Sequence, residues 1–95
     1  MLKLPWHHLY FSGCGGVGMA GLAQIVCDFG VRVSGSDAVD SEYLTLLRQH
    51  GCHVKAGQDG SLPEDVDLLI YSSAVPPENP DRATAAKRQI PSCSR

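Results

Sequence analysis

The sequence has no apolar run long enough to cross a bilayer and no excess of basic residues. Eight Lys and Arg stand against ten Asp and Glu, a formal net charge of −2. That balance argues against nucleic acid and against an anionic membrane as partners, since both select basic surfaces. The opening Met1-Leu2-Lys3-Leu4-Pro5-Trp6 lacks the apolar core of a signal peptide, so a cytoplasmic chain is expected. The four cysteines, Cys14, Cys27, Cys52 and Cys93, form no CxxC pair. Zinc would need paired ligands at short spacing, and Cys52-His53, as strand neighbours, would point to opposite faces. No metal is expected, and the thiols read as buried or half-buried. His7, His8, His50 and His53 show no ligand or catalytic spacing, and no nucleophile–base pair stands out. The sequence also lacks G-x-x-x-x-G-K-[ST], so these residues alone cannot cradle and activate ATP.

Glycine, by contrast, is plentiful. Ten glycines and six prolines in 95 residues predict short elements joined by tight turns, and 43% hydrophobic residues suffice for one core. Leu9-Tyr10-Phe11 reads as a buried strand ending at Gly13. Leu22, Ile25, Val26 and Phe29 recur at helical spacing, and Gly30 sits where a C-terminal cap belongs. Val31-Arg32-Val33 predicts a second strand, with Ser34-Gly35-Ser36-Asp37 as its loop. Asp40 or Ser41 can cap a helix carrying Tyr43, Leu44 and Leu47 and stopping near Gly51. Cys52 to Lys55 predicts a weak third strand and residues 57–61 a loop. Asp67-Leu68-Leu69-Ile70-Tyr71 is the strongest strand signal, suited to a sheet centre. Pro76-Pro77 forces a loop, Asn79 caps a helix with Pro80 at its first position, and Ile90-Pro91 begins a last short strand. Strand–helix alternation, read as four repeats plus a possible fifth strand, predicts one doubly wound, Rossmann-like α/β domain with a parallel sheet of about five strands.

Gly13-Cys14-Gly15-Gly16-Val17-Gly18 satisfies G-x-G-x-x-G between a predicted strand and a predicted helix. Gly13 would permit the sharp turn, Gly15 the approach of phosphate oxygens, and Gly18 close packing of helix on sheet. The helix would offer free N–H groups from about Gly16 to Met19 to an anion, with no Lys or Arg required. Asp37, nineteen residues after Gly18, ends the second strand, where a carboxylate can accept from ribose hydroxyls. Ser36, Ser72 and Ser73 fall at the same sheet edge. Together these predict binding of a nucleotide diphosphate. The helix N-terminus would lower the pKa of Cys14, although no base is near it in sequence.

The loop and its continuation, Met19-Ala20-Gly21-Leu22-Ala23, resemble the G-x-G-G-x-G-M-S-G-x-A signature of the Mur ligases. Further matches follow in order: Ser34-Gly35-Ser36-Asp37, Tyr71-Ser72-Ser73-Ala74-Val75, Asn79-Pro80-Asp81, then Ile90-Pro91 and Arg95. They track the UDP-N-acetylmuramate–L-alanine branch of the family over nearly the whole chain, with the murein-peptide-recycling branch second. The resemblance implies a Rossmann-like first domain, residues 1–95, that holds the UDP part of UDP-N-acetylmuramate in an ATP-dependent ligase of peptidoglycan synthesis. By position, Gly13, Cys14, Gly15, Gly16, Val17, Gly18 and Met19 would contact the diphosphate. Ser36 and Asp37 would lie near the uridine, and Ser72 and Ser73 would line the same edge. ATP and magnesium would belong to the central domain, which with the C-terminal domain is expected to lie outside these residues, so that the chain by itself binds and does not catalyse. Departures from the family pattern are Tyr10 for histidine, Cys14 for an aliphatic residue, Ala20 for serine and Gln58 for histidine. Two other readings stay open: a nicotinamide-dinucleotide domain, with Asp37 selecting NAD, and a Rossmann-like interaction module without a ligand.

Overall fold

The computed structural model of the chain describes residues 5–95, so the N-terminal reading of residues 1–4 lies outside the described part. Its elements are β1 (His8–Ser12), α1 (Val17–Asp28), β2 (Arg32–Asp37), α2 (Glu42–Gln49), β3 (His53–Ala56), β4 (Leu68–Tyr71), α3 (Pro80–Lys87) and β5 (Ser92–Ser94). Every strand pairing is parallel, in the order β3-β2-β1-β4-β5. The chain steps outward from β1 to β3, then returns to the far side of β1 for β4 and β5. This is the Rossmann-like, doubly wound α/β fold that the alternating sequence predicts. No helix among the described residues is long and apolar enough to cross a membrane.

The period of two along each strand divides the core into two layers. Leu9, Phe11, Val33, Val54, Leu68 and Ile70 pack with Met19, Ala20, Ala23 and Val26 of α1 and with Leu44 and Leu47 of α2. Tyr10 and Leu69 form a smaller cluster with Val66 and Ala85 of α3. Helix α1 ends as its sequence predicts. Gly30 has φ +89°, and its N–H donates to the Cys27 carbonyl at 2.9 Å.

Several local expectations are corrected. Ser34 to Asp37 are strand, not loop, because they pair with β1 on one side and β3 on the other. The strongest strand signal, β4, is not central; β1 is, flanked by two strands on either side. Three helices are present among the described residues instead of the four that the repeat reading implied. Residues 57–67 join β3 to β4 without an α-helix, as their glycines and Pro63 dictate. Ser41 stands at the start of α2 but makes no side-chain cap bond, whereas Asn79 caps α3 by accepting from the Asp81 N–H.

The β2 strand can lie this close to β1 only because residue 35 is glycine. A Cβ there would stand 2.7 Å from the Phe11 carbonyl oxygen and 3.1 Å from Cys14 Sγ. Gly35→Ala is therefore expected to cost about 1–3 kcal/mol of unfolding free energy in urea titrations. A cost near zero would show that the β1–β2 spacing yields freely.

Candidate functional site

The strand order reverses between β1 and β4, the place where open α/β sheets gather ligands at their carboxyl edge. A cavity of about 280 Å³ opens there. Its lining comes from Gly13 and Gly16 after β1, Asp37 and Ala38 at the end of β2, Gln58 beyond β3, and Ser72, Ala74 and Val75 beyond β4. A larger groove, about 580 Å³, lies against β2 and β3 but includes none of the loop glycines. The smaller cavity is the one that meets the chemistry.

Gly13 makes the turn possible. Its φ is +84°, and a Cβ would come within 2.9 Å of Ser72 Cβ and 3.1 Å of Val75 Cγ2. The N–H groups of Gly13 and Cys14 both donate to the Ser36 carbonyl, at 2.8 and 3.0 Å, which stitches the turn to the end of β2. Helix α1 then begins behind Gly16, an N-cap with no side-chain oxygen, and its first turn carries no acidic side chain. Ala20 donates back to the Gly16 carbonyl at 2.8 Å, and the N–H groups ahead of it form the electropositive end of the helix. Gly16 donates its own N–H to the Gly13 carbonyl at 3.4 Å, so the open donors begin one residue later than the sequence reading put them.

Gly15 has an occupant. Asp37 Oδ2 accepts from the Gly15 N–H at 2.8 Å, and Oδ1 accepts from the Val39 N–H at 3.1 Å. A Cβ on Gly15 would lie 2.8 Å from that same carboxylate oxygen. The missing side chain thus makes room for Asp37, in the space the sequence reading assigned to phosphate. Gly18 is also corrected. It is exposed, and a Cβ there would meet only the Arg95 guanidinium, at 3.6 Å, with the sheet not in reach. Close packing of α1 on the sheet falls to Ala20 and Ala23 instead. A cationic side chain therefore stands beside the loop after all.

The remaining predicted residues divide. Ser72 lines the cavity, although its Oγ already accepts from the Ala74 N–H at 3.2 Å. Ser73 is exposed and outside the lining, while Cys14 and Met19 point into the main core. The Val17 backbone opens α1. Ser36 is fully buried, its hydroxyl committed to Asp81.

That carboxylate is what sequence reasoning missed. Asp81 is 0% exposed and accepts from Ser12 Oγ at 3.0 Å, Ser36 Oγ at 2.6 Å and the Gly60 N–H at 3.1 Å. Gln58 Nε2 donates to Ser12 Oγ at 3.0 Å, and Asn79 Nδ2 donates to Gln58 Oε1 at 3.0 Å. The available signal was the register Ser12↔Ser36, which sets two hydroxyls side by side on one face of the sheet.

Burial, with the Asp37 charge nearby, pushes the Cys14 thiol up to about 12, opposite to the lowering expected from the helix N-terminus. Burial and the neighbouring Cys27 thiol push Cys52 up to about 12 as well. Cys93 is exposed, which corrects the uniform reading of buried or half-buried thiols.

A family model described as "Mur ligase family, catalytic domain" matches residues 8–95. The UDP-N-acetylmuramate–L-alanine ligase of Aquifex aeolicus is 40% identical over 91 residues, covering 96% of this chain and 20% of that protein. The crystal structure of the UDP-N-acetylmuramate–alanine ligase from Thermotoga maritima superposes with a TM-score of 0.88 at 30% identity, over 93% of this chain and 20% of that one. A UDP-N-acetylmuramate:L-alanyl-gamma-D-glutamyl-meso-diaminopimelate ligase from Neisseria meningitides gives 0.82 at 28% identity, over 94% and 28%. The chain thus spans about a fifth of the length of the curated relative it matches.

The thiol environments make a direct prediction. At pH 8 an alkylating reagent is expected to label Cys93 readily and to leave Cys14 and Cys52 unmodified until the chain unfolds, as read by peptide mass spectrometry. Because both buried thiols keep their protons in the fold up to about 12 while the unfolded chain ionises near 9, stability is full below pH 9 and declines towards pH 12. Rapid labelling of native Cys14 would contradict its enclosure.

Proposed function

The chain belongs to the Mur ligase family, and on that premise we propose that it holds the UDP portion of UDP-N-acetylmuramate for a bacterial, cytoplasmic, ATP-dependent ligase that adds L-alanine in peptidoglycan synthesis. The observation that carries this reading is the pairing of a glycine turn with an uncapped helix start at the mouth of the cavity. Backbone N–H groups and the helix dipole there suit a diphosphate. Asp37 and Gln58 line the β2–β3 side of the same cavity, where a nucleoside linked to that diphosphate would extend.

Asp37 has to change partners in this scheme. A phosphate oxygen and the Asp37 carboxylate cannot share the Gly15 N–H, so binding frees that carboxylate to accept from a ribose hydroxyl or a base N–H. The Arg95 guanidinium, beside Gly18, offsets charge at the loop. ATP and magnesium are assigned to parts of the ligase outside these residues, in which G-x-x-x-x-G-K-[ST] does not occur.

Calorimetric titration with UDP-N-acetylmuramate, UDP, NAD and inorganic pyrophosphate tests the proposal. UDP compounds are expected to saturate the chain and NAD to give no heat. Gly15→Val, which drives a side chain into Asp37 and the loop, is expected to weaken UDP binding about ten- to a hundredfold. NAD binding without a UDP response would transfer the site to the dinucleotide reading, and no response to any ligand would favour an interaction module.

A further inference from the structure

A ring of hydrogen bonds closes beside the cavity, and it begins and ends on one residue. The Asp81 N–H donates to Asn79 Oδ1 at 2.9 Å, Asn79 Nδ2 donates to Gln58 Oε1 at 3.0 Å, Gln58 Nε2 donates to Ser12 Oγ at 3.0 Å, and Ser12 Oγ donates to Asp81 Oδ2 at 3.0 Å. Each end of the ring has a fixed polarity. A backbone N–H can only donate, and a carboxylate can only accept. Ser12 must therefore give its proton to Asp81 and take one from Gln58. Asn79 must turn its oxygen to the Asp81 N–H and its nitrogen to Gln58. Both arms impose the same orientation on the Gln58 amide.

Gln58 is the one member of the ring that also lines the cavity. Its oxygen is held by Asn79 and one amide proton by Ser12, which leaves the second N–H as its donor. The preceding Gly57 N–H donates to the Asp37 carbonyl at 2.7 Å, so the backbone at Gln58 lies beside Asp37, and its side chain reaches from there past the end of β1 to Asn79. We propose that Asp81 is a positioning residue for ligand recognition: through Ser12 and Asn79 it locks Gln58 as a hydrogen-bond donor to an acceptor oxygen on the nucleoside half of a nucleotide diphosphate. The proposal rests on the UDP reading above and adds to it a residue that never touches the ligand.

Asp81→Ala tests the anchor. A carboxamide would not, since its oxygen could take the Oδ2 place and leave the ring as it is, whereas a methyl group removes the acceptor of the Ser12 and Ser36 hydroxyls. The 95-residue chain, Asp81→Ala, Gln58→Ala and the double variant are titrated with UDP and with inorganic pyrophosphate, and thermal melts are recorded alongside. Each single substitution is expected to weaken UDP binding about tenfold, the size of one neutral hydrogen bond, and to leave pyrophosphate unchanged. The double variant is expected to match the single ones, because Asp81 acts through Gln58. Additive losses, equal losses for UDP and pyrophosphate, or unaltered UDP affinity in Asp81→Ala would each overturn the proposal. Should Asp81→Ala fail to fold, Asn79→Asp, which keeps the acceptor for the Asp81 N–H but removes the donor to Gln58, makes the same measurement. A parent chain that binds neither UDP nor pyrophosphate would instead defeat the diphosphate reading itself.

Discussion

An enclosed carboxylate holds the edges of the cavity to one another. Asp81 receives donors 69, 45 and 21 positions away in the chain, from the end of β1, the end of β2 and the turn that leads out of β3. An ionised group taken out of water without partners would cost several kcal/mol, so these three bonds must form together with the fold. Their combined effect is to fix the carboxyl ends of two central strands against the start of α3. The sheet edge therefore cannot splay, and the cavity walls inherit its rigidity.

The electrostatics of the loop follow a different logic. Its donors are backbone groups, held in place by Gly13 and by the Ser36 carbonyl, and they carry partial charge only. A full negative charge, Asp37, already lies against them, and a full positive charge, Arg95, stands at the opposite shoulder by Gly18. An anion entering here exchanges one carboxylate contact for a phosphate contact and does not meet a bare set of donors. Such an exchange lowers the net gain from any single charge and makes fit and orientation decide the affinity.

The architecture was legible in the sequence because it depends on short-range signals. Gly30 after a helical stripe, Pro80 behind Asn79, and Leu68 to Tyr71 as an apolar run each state their element locally. Position within the sheet was not legible: Leu68 to Tyr71 are as apolar as a central strand, yet β4 is made interior by β5, three exposed residues. Ser34 to Asp37 looked like a loop because serine and glycine disfavour strands intrinsically, and only pairing on both sides overrides that preference. The glycine turn between β1 and α1 was legible, but its contents were not. That Asp37 would fill the space at Gly15, and that Asp81 would be enclosed, depends on contacts between residues 21 to 69 positions apart.

The bare start of α1 has a thermodynamic meaning of its own. Serine, aspartate or asparagine at the Gly16 position would add roughly a few tenths of a kcal/mol to the helix by capping it internally. Glycine forgoes that increment and leaves the first turn to be completed from outside. Any anion that completes it binds the folded chain and not the unfolded one, so folding and occupancy become linked equilibria. At a hundredfold excess over its dissociation constant, such a ligand would add about 2.7 kcal/mol to the stability of the whole domain, more than the internal cap could have given.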